Sequence, residues 1–540
     1  MKAATLRTFR ELHGWVGLVA GFGLFIAFYA GALSVFNDEL HVWSSRSGLP
    51  QQMSPLSQAQ PLVDALLREH PQAAQRFTLR LPTPQDPLMT VEWDQRHADG
   101  SETEHVYTLS PQGELVKPVS ASGLADFVYH LHYTAGLPRA WGIYVLAAIC
   151  VLYGLALVSG VILYTPAFFK DLFALRLGRN IKRMWQDAHN VIGILSLPFH
   201  VMYAWSSVLL ALGMSVYLLP FQWLVYDGAL QPLVRADLSM GAAPAASATV
   251  PAAAIPAPMV PLAQLYATVE REAPGLRVTA LRFRDGGYRH GQVDAYGSLR
   301  QQSLSAVAAV SMNASTGEPL RVVTPHTAST GTSMLRGLYS LHFADFGGDA
   351  VRWMYFVLGM LGAFLFYSGN LLWIEARRKR NGLQTRGAIA MTRATIGVCL
   401  GSIAGLGAVF LANKLAPWHS VASWEAGSYY AVFIACVLWS CWRPPARAAH
   451  EILTLSAILC LLLPLAQCWR SGVAPWTALE QGASVALAVN VVALLGAWLY
   501  WRLARAVLRR GRDGDPASVW ALLRPAAQPA EGRASLKLSK

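Results

Sequence analysis

Eight stretches of this chain are apolar over a length that crosses a bilayer, and nothing else in the sequence restricts the fold as much. Windows of about 20 apolar residues match the hydrocarbon core. They run roughly Trp15 to Phe36, Trp141 to Tyr164, Val191 to Leu219, Val351 to Trp373, Ala394 to Leu415, Tyr429 to Trp442, Ile452 to Cys468 and Ala483 to Trp501. The sixth is the shortest. With 54% hydrophobic and only 14% charged residues in 540, the chain has too little charge for a soluble enzyme of its size. The expected fold is a polytopic α-helical membrane protein of about eight transmembrane helices, with two small α+β domains outside the lipid.

The net charge of +13 raises nucleic acid as a partner, but the basic residues lie beside the spans. Lys2, Arg7 and Arg10 precede the first span, and Lys170, Arg176, Arg179, Lys182 and Arg183 separate the second from the third. Arg377, Arg378, Lys379 and Arg380 follow the fourth, Arg443 and Arg447 the sixth, and Arg502, Arg505, Arg509, Arg510 and Arg512 the eighth. With eight spans, all of these loops share one side. By the positive-inside rule that side is cytoplasmic, as are both termini, and nucleic acid drops out as a partner. The first window is long enough to span and others follow it, so it reads as an anchor rather than a cleaved signal despite the small residues at Ala30 to Ala32. The six cysteines all fall in or next to spans, which implies no disulfide framework outside the membrane.

Two long segments leave the membrane opposite the basic loops, about His41 to Ala140 and about Phe221 to Ala350. Each reads as a helix running into a strand, then alternating stretches that end at a Gly turn. PLSQAQPLVDALLREHPQAAQRFTLRL opens this pattern in the first and PLAQLYATVEREAPGLRVTALRF in the second. A unit of span, small domain and span is therefore used twice. The Ala/Pro tract GAAPAASATVPAAAIPAPMVP before the second copy reads as an extended linker. The last four spans, within residues 381–510, carry no such domain and no histidine, and read as a separate bundle. A cytoplasmic tail closes the chain at 511–540.

Of the fourteen histidines, His70, His97, His105, His290 and His326 fall in the outer segments and read as solvated side chains, while His41, His419 and His450 sit in loops near span ends. The rest cluster on the first four spans. His13 opens the first, His130 and His132 precede the second, His189 and His200 lie on the third, and His342 leads into the fourth. Ionisable groups in a membrane are costly and face a bundle interior, where they pair or bind something. Imidazoles brought together by facing helices are what bis-histidine haem ligation requires. Zinc is disfavoured, because no cysteine and no short ligand spacing accompanies them. By depth, His13 and His189 make an inner pair, and His132 and His342 an outer pair. A continuous helix puts His189 and His200 on nearly one face, about 16 Å apart. His200 is then an outer ligand, a third haem-like site or an interhelical hydrogen bond. Of His130 and His132, whose side chains diverge by about 200° on a helix, His132 is the better ligand. Gly14, Gly17, Gly21, Gly23, Gly154, Gly160 and Gly193 permit close helix approach.

RELHGWVGL, HLHYTAG with SGVILY, WQDAHNVIGILSLPF, and LYSLHFADFGG with YSGNLLW together resemble the PepSY-associated transmembrane family over about Thr8 to Arg380. The resemblance implies that both outer segments are PepSY-like domains. Within the family it points to siderophore reductases of the Gram-negative inner membrane that bind b-type haem. It implies two haems b, electron transfer across the membrane to a ferric siderophore in the periplasm, and His13, His132, His189 and His342 as the motif histidines, with His200 in the L-P-F stretch. The four spans after Thr392 extend beyond the shortest members.

Reduction suits such a substrate, because siderophores hold Fe(III) through hard oxygen donors that grip Fe(II) far more weakly. Tyr129, Tyr133, Trp141, Tyr339, Phe343, Phe346 and Trp353 line the outer approach or form an interfacial belt, and Asp345 and Asp349 contact substrate or cap the following helix. No nucleotide-binding G-x-G-x-x-G follows a strand, so electrons come from a quinol or a cytoplasmic reductase. The competing classes are a siderophore or iron-chelate transporter and a non-enzymatic periplasmic binding or regulatory protein.

Overall fold

The structure is a computed structural model that describes residues 3–45, 52–83, 86–96, 102–118, 122–165, 181–212, 223, 255–299, 304, 307–377, 384–473 and 484–522. His97, most of the Ala/Pro tract, the end of the third window and most of the tail lie outside them. The chain opens with α1 (Ala3–Ser34) and α2 (Asn37–Ser44), then builds α3 (Ala59–Glu69) and strands β1 (Arg76–Arg80), β2 (Thr90–Arg96), β3 (Glu102–Leu109) and β4 (Leu115–Val116). It returns through α4 (Leu124–Thr134), α5 (Arg139–Tyr164), α6 (Ile181–Leu195) and α7 (Leu197–Leu212). The second unit follows with α8 (Leu262–Glu272), β5 (Arg277–Arg284), β6 (Gln292–Ser298), β7 (Val307–Asn313), β8 (Pro319–Val323), α9 (Thr330–Phe343) and α10 (Gly348–Ala376). Last come α11 (Arg386–Thr395), a π-helical turn (Ile396–Leu400), α12 (Gly401–Leu415), α13 (Val421–Trp442), α14 (Pro445–Ser471) and α15 (Ser484–Asp513).

Among the described residues, seven helices are long and apolar enough to cross a membrane, and α6 with α7 make an eighth when the pair is taken as one span. That pair corrects the reading of one straight third helix, because it bends by 71° at its break. The cause is local. Pro198 has no N–H to give the Ile194 carbonyl, and its ring crowds that carbonyl, so the ladder stops and a new helix starts at Leu197. The sixth span is longer than its apolar window, since α13 begins at Val421. Glu425, the charge that cut the window short, is 1% exposed and hydrogen-bonded.

The two outer units share one antiparallel sheet of order β4-β3-β2-β1-β5-β6-β7-β8. The first strand of each copy pairs with the other, Phe77 opposite Phe283 and Leu79 opposite Leu281, and the two phenylalanine rings stack at 4.4 Å. Alternation explains the seam. Phe77 and Leu79 point to the face where Leu62 and Leu66 of α3 and Leu265 and Val269 of α8 form one core, while Arg76, Thr78 and Arg80 point away. His70 and His105 are not free on the surface: they gather with Trp93 and Tyr107.

The last four spans do not form a separate bundle. Leu406, Phe410, Tyr429 and Leu463 share a buried cluster with Ala30, Leu40, Trp43 and Leu131, and Tyr29 of α1 meets Tyr500 of α15 hydroxyl to hydroxyl at 2.9 Å. His450 lies inside α14, where its Nδ1 bonds the Ala504 carbonyl at 3.0 Å. All six cysteines are free.

Candidate functional site

Four helices deliver two pairs of imidazoles. His13 of α1 and His189 of α6 have ring centres 6.2 Å apart, and His132 of α4 and His342 of α9 have theirs 6.0 Å apart. The seats of the first pair are copies. His13 Nδ1 donates to the Ala156 carbonyl at 2.9 Å, with Ser159 Oγ at 3.3 Å, and His189 Nδ1 donates to the Leu365 carbonyl at 3.1 Å, with Ser368 Oγ at 3.3 Å. In each seat the carbonyl is followed three residues later by serine and then by glycine. A β-carbon on Gly160 would lie 3.0 Å from His13 Cε1, and one on Gly369 would lie 3.3 Å from His189 Cε1. The missing side chains are what let each ring lie against the neighbouring helix.

His132 Nδ1 donates to the Ala27 carbonyl at 2.8 Å, over Gly31. His342 Nδ1 meets Ser206 Oγ at 2.7 Å. That hydroxyl also lies 2.8 Å from the Met202 carbonyl. A carbonyl only accepts. Nδ1 therefore carries the proton in His13, His132 and His189, and Nε2 of each keeps the lone pair that binds a metal. His132 and His342 lie on helices outside the spans. Burial pushes both below the ordinary imidazole pKa, that of His342 to about 3, which keeps them in the neutral, ligating form.

The spacing fits one metal per pair. A metal–imidazole bond is about 2 Å and a ring centre lies about 1.1 Å beyond its nitrogen, so two imidazoles on opposite sides of one metal stand about 6 Å apart, centre to centre. Among the described residues no group of three or more His, Cys, Asp or Glu side chains is placed to hold a metal ion. The donor set is two imidazoles at each site and no more, which suits an iron whose other positions are filled by a macrocycle. From His13 to Ala27, α1 rises about 21 Å, so the pairs stand at different depths.

His200 joins neither pair. The bend carries it off the His189 face, and its Nδ1 meets the Tyr153 hydroxyl of α5 at 2.5 Å. Its Nε2 is buried without a hydrogen bond. Phe28, Phe199 and Phe366 close around it, and a β-carbon at Gly362 would come within 3.3 Å of its Cε1. Of the three readings for His200, the interhelical hydrogen bond is the one whose partner is present, Tyr153 of α5. His130 lies beside Tyr133, 5.4 Å between ring centres, and does not face His342.

Several residues set out by the sequence have other roles. Gly14, Gly17 and Gly154 have open space where a β-carbon would go, whereas Gly21 meets Asn370 and Gly23 meets Ile149. Asp349 does not cap α10, whose cap position is Gly347. It sits in the first turn 3.4 Å from Arg352, which also binds Glu39. Tyr129 stacks beside His132, Phe343 meets His342 edge-on and Trp353 lies tilted against Phe36. Sequence reasoning missed Tyr153, Ser206, Gly31, Gly362 and Gly369. The available signal was the Ser-Gly dipeptide shared by the second and fourth spans at 159–160 and 368–369.

No curated protein matches the chain. The family profile described as the PepSY-associated TM region matches residues 10–376, a stretch that holds both pairs and both halves of the sheet. The chain belongs to the PepSY-associated transmembrane family.

Proposed function

We propose that the protein is a haem b ferric-siderophore reductase of the bacterial inner membrane, which passes electrons from the cytoplasmic side to chelated Fe(III) in the periplasm and releases the iron as Fe(II). One observation carries this reading: two imidazole pairs at different depths, each about 6 Å between ring centres, with every Nδ1 anchored. His13 with His189 would hold an inner haem, and His132 with His342 an outer one. When bound, such a haem supplies one-electron exchange at its iron.

The chain's own contribution is orientation. Each Nδ1–H bond to an oxygen fixes its tautomer and ring plane and raises the basicity of the ligating nitrogen. The glycine seats at 31, 160 and 369 hold three of the rings against rigid helices. The aromatic rings of Phe28, Phe199 and Phe366 bury His200. The basic loops support cytoplasmic termini and a periplasmic sheet, and electrons would enter at the His13 end from a quinol or a cytoplasmic reductase.

The broken span formed by α6 and α7 favours a second reading, transport, because discontinuous helices line transporter sites. Phe199, just after this break, packs against Tyr203 and Tyr355.

The visible spectrum of purified protein tests the proposal. A reduced b-type spectrum that loses one component with His13→Ala or His189→Ala, and the other with His132→Ala or His342→Ala, is the expected result. Rapid reoxidation by a ferric siderophore then distinguishes a reductase from another electron carrier, and a colourless protein sinks both.

A further inference from the structure

Helix α4, which carries His132, starts at a junction that a distant part of the chain holds. Its cap position is Gly123, which has no side chain to offer, yet the first N–H groups of any helix need acceptors. Ser122 accepts the first of them, and Ser122 and Gly123 are themselves held from the C-terminal half of the chain. Glu425 of α13 accepts the Gly123 N–H at 2.8 Å through Oε2 and the Ser122 hydroxyl at 2.5 Å through Oε1. Ser122 Oγ in turn accepts the Leu124 N–H at 3.1 Å.

Asn413 of α12 completes the network. Its Nδ2 shares two protons among Glu425 Oε1 at 2.8 Å, Ser122 Oγ at 2.9 Å and the Ser44 carbonyl at 3.1 Å. Ser44 ends α2, where the chain leaves for the outer sheet, and Ser122 is where it comes back. Glu425 is 1% exposed and Asn413 is fully buried, so these bonds form away from water. At the other end of α4, Tyr430 of the same α13 donates to the Gly136 carbonyl at 2.9 Å. The internal repeat supplies a control: α9, which carries His342, is capped by its own Ser329, whose Oγ accepts the Thr332 N–H at 3.1 Å. In α4 the capping serine is itself bonded to a carboxylate of a distant helix.

We propose that the C-terminal bundle, which lies beyond the family match ending at residue 376, is a positioning frame for the outer histidine pair, with Glu425 as the positioning residue that fixes α4 and through it His132. A carboxylate at a helix N-terminus makes charge-assisted bonds and complements the helix dipole. Removing it takes away the acceptor of the Gly123 N–H and of the Ser122 hydroxyl proton, and α4 loses its hold on the Gly31 seat.

The spectroscopic arm of the test rests on the haem reading; a second arm does not. Full-length protein with its haems is compared with Glu425→Ala, Glu425→Gln and His450→Ala, the last breaking a bond internal to the C-terminal bundle. The low-spin resonance of each haem is assigned with His189→Ala and His342→Ala, and amide exchange is followed across α4. Glu425→Ala is expected to speed exchange at the start of α4 about tenfold and to shift or remove the outer resonance while the inner one stays. Glu425→Gln recovers most of both, because its amide oxygen still accepts the Gly123 N–H, and His450→Ala changes neither. Normal α4 exchange in Glu425→Ala overturns the inference, as does disturbance of both haems alike by Glu425→Ala and His450→Ala. Should the parent protein be colourless, the haem reading fails by itself and the exchange arm alone decides.

Discussion

The His132 ring lies over Gly31 so closely that a β-carbon there would come within 2.5 Å of Nδ1. Real β-carbons do not tolerate that distance from a ring whose helix is held at both ends. Gly31→Ala is therefore expected to unseat His132 and reduce the haem content from two to one per chain. Gly369→Ala, whose β-carbon would meet His189 at 3.3 Å, should retain both haems with a small band shift. Pyridine haemochrome analysis against protein concentration checks the ratio.

His200 separates ligation from packing. Its Nδ1 bond to Tyr153 and its aromatic surroundings predict that His200→Phe retains two haems, whereas His189→Ala loses one. Equal loss in both variants would return His200 to the ligand set.

Tyr153→Phe removes a buried hydrogen bond between α5 and α7. The expected cost is about 1–2 kcal/mol of stability with unchanged haem content, read as a lower thermal midpoint in detergent. The size reflects the partner left behind: His200 then has neither ring nitrogen bonded, and burial makes that expensive.

The outer sheet depends on the stacked pair at its centre. Phe283→Ala opens a cavity against Phe77, and loss of a buried phenylalanine costs about 3–5 kcal/mol. Limited proteolysis should then cut the outer sheet at protease concentrations the parent resists, while the haem spectrum stays intact. Phe77→Ala, across the same seam, should behave alike and add little when combined.

Much of this molecule was legible in the sequence. Apolar windows of membrane length predict helices because lipid leaves the backbone no other hydrogen-bond partners, and the repeated order of helix, strands and Gly turn predicts the two outer units. The candidate ligands stand out because an imidazole in an apolar span is costly to keep. The expected pairing by depth matches the structure's own grouping of His13 with His189 and His132 with His342.

Only the tertiary structure decided how these parts meet. The apolar window predicts one continuous third helix, whereas the chain bends by 71° beside Pro198 and His200 meets Tyr153. The merger of two outer units into one sheet depends on which strand edges find each other, and Arg76 to Arg80 shows the same alternation whether its edge is free or paired. Gly31 and Gly369 look like ordinary small residues until the ring from another helix is in place. Glu425 reads as a charge that ends an apolar window, and only the distant Ser122 and Gly123 make it a cap. Periodicity reports on a residue's own element, whereas a seat or a cap is a relation between two elements far apart in the chain.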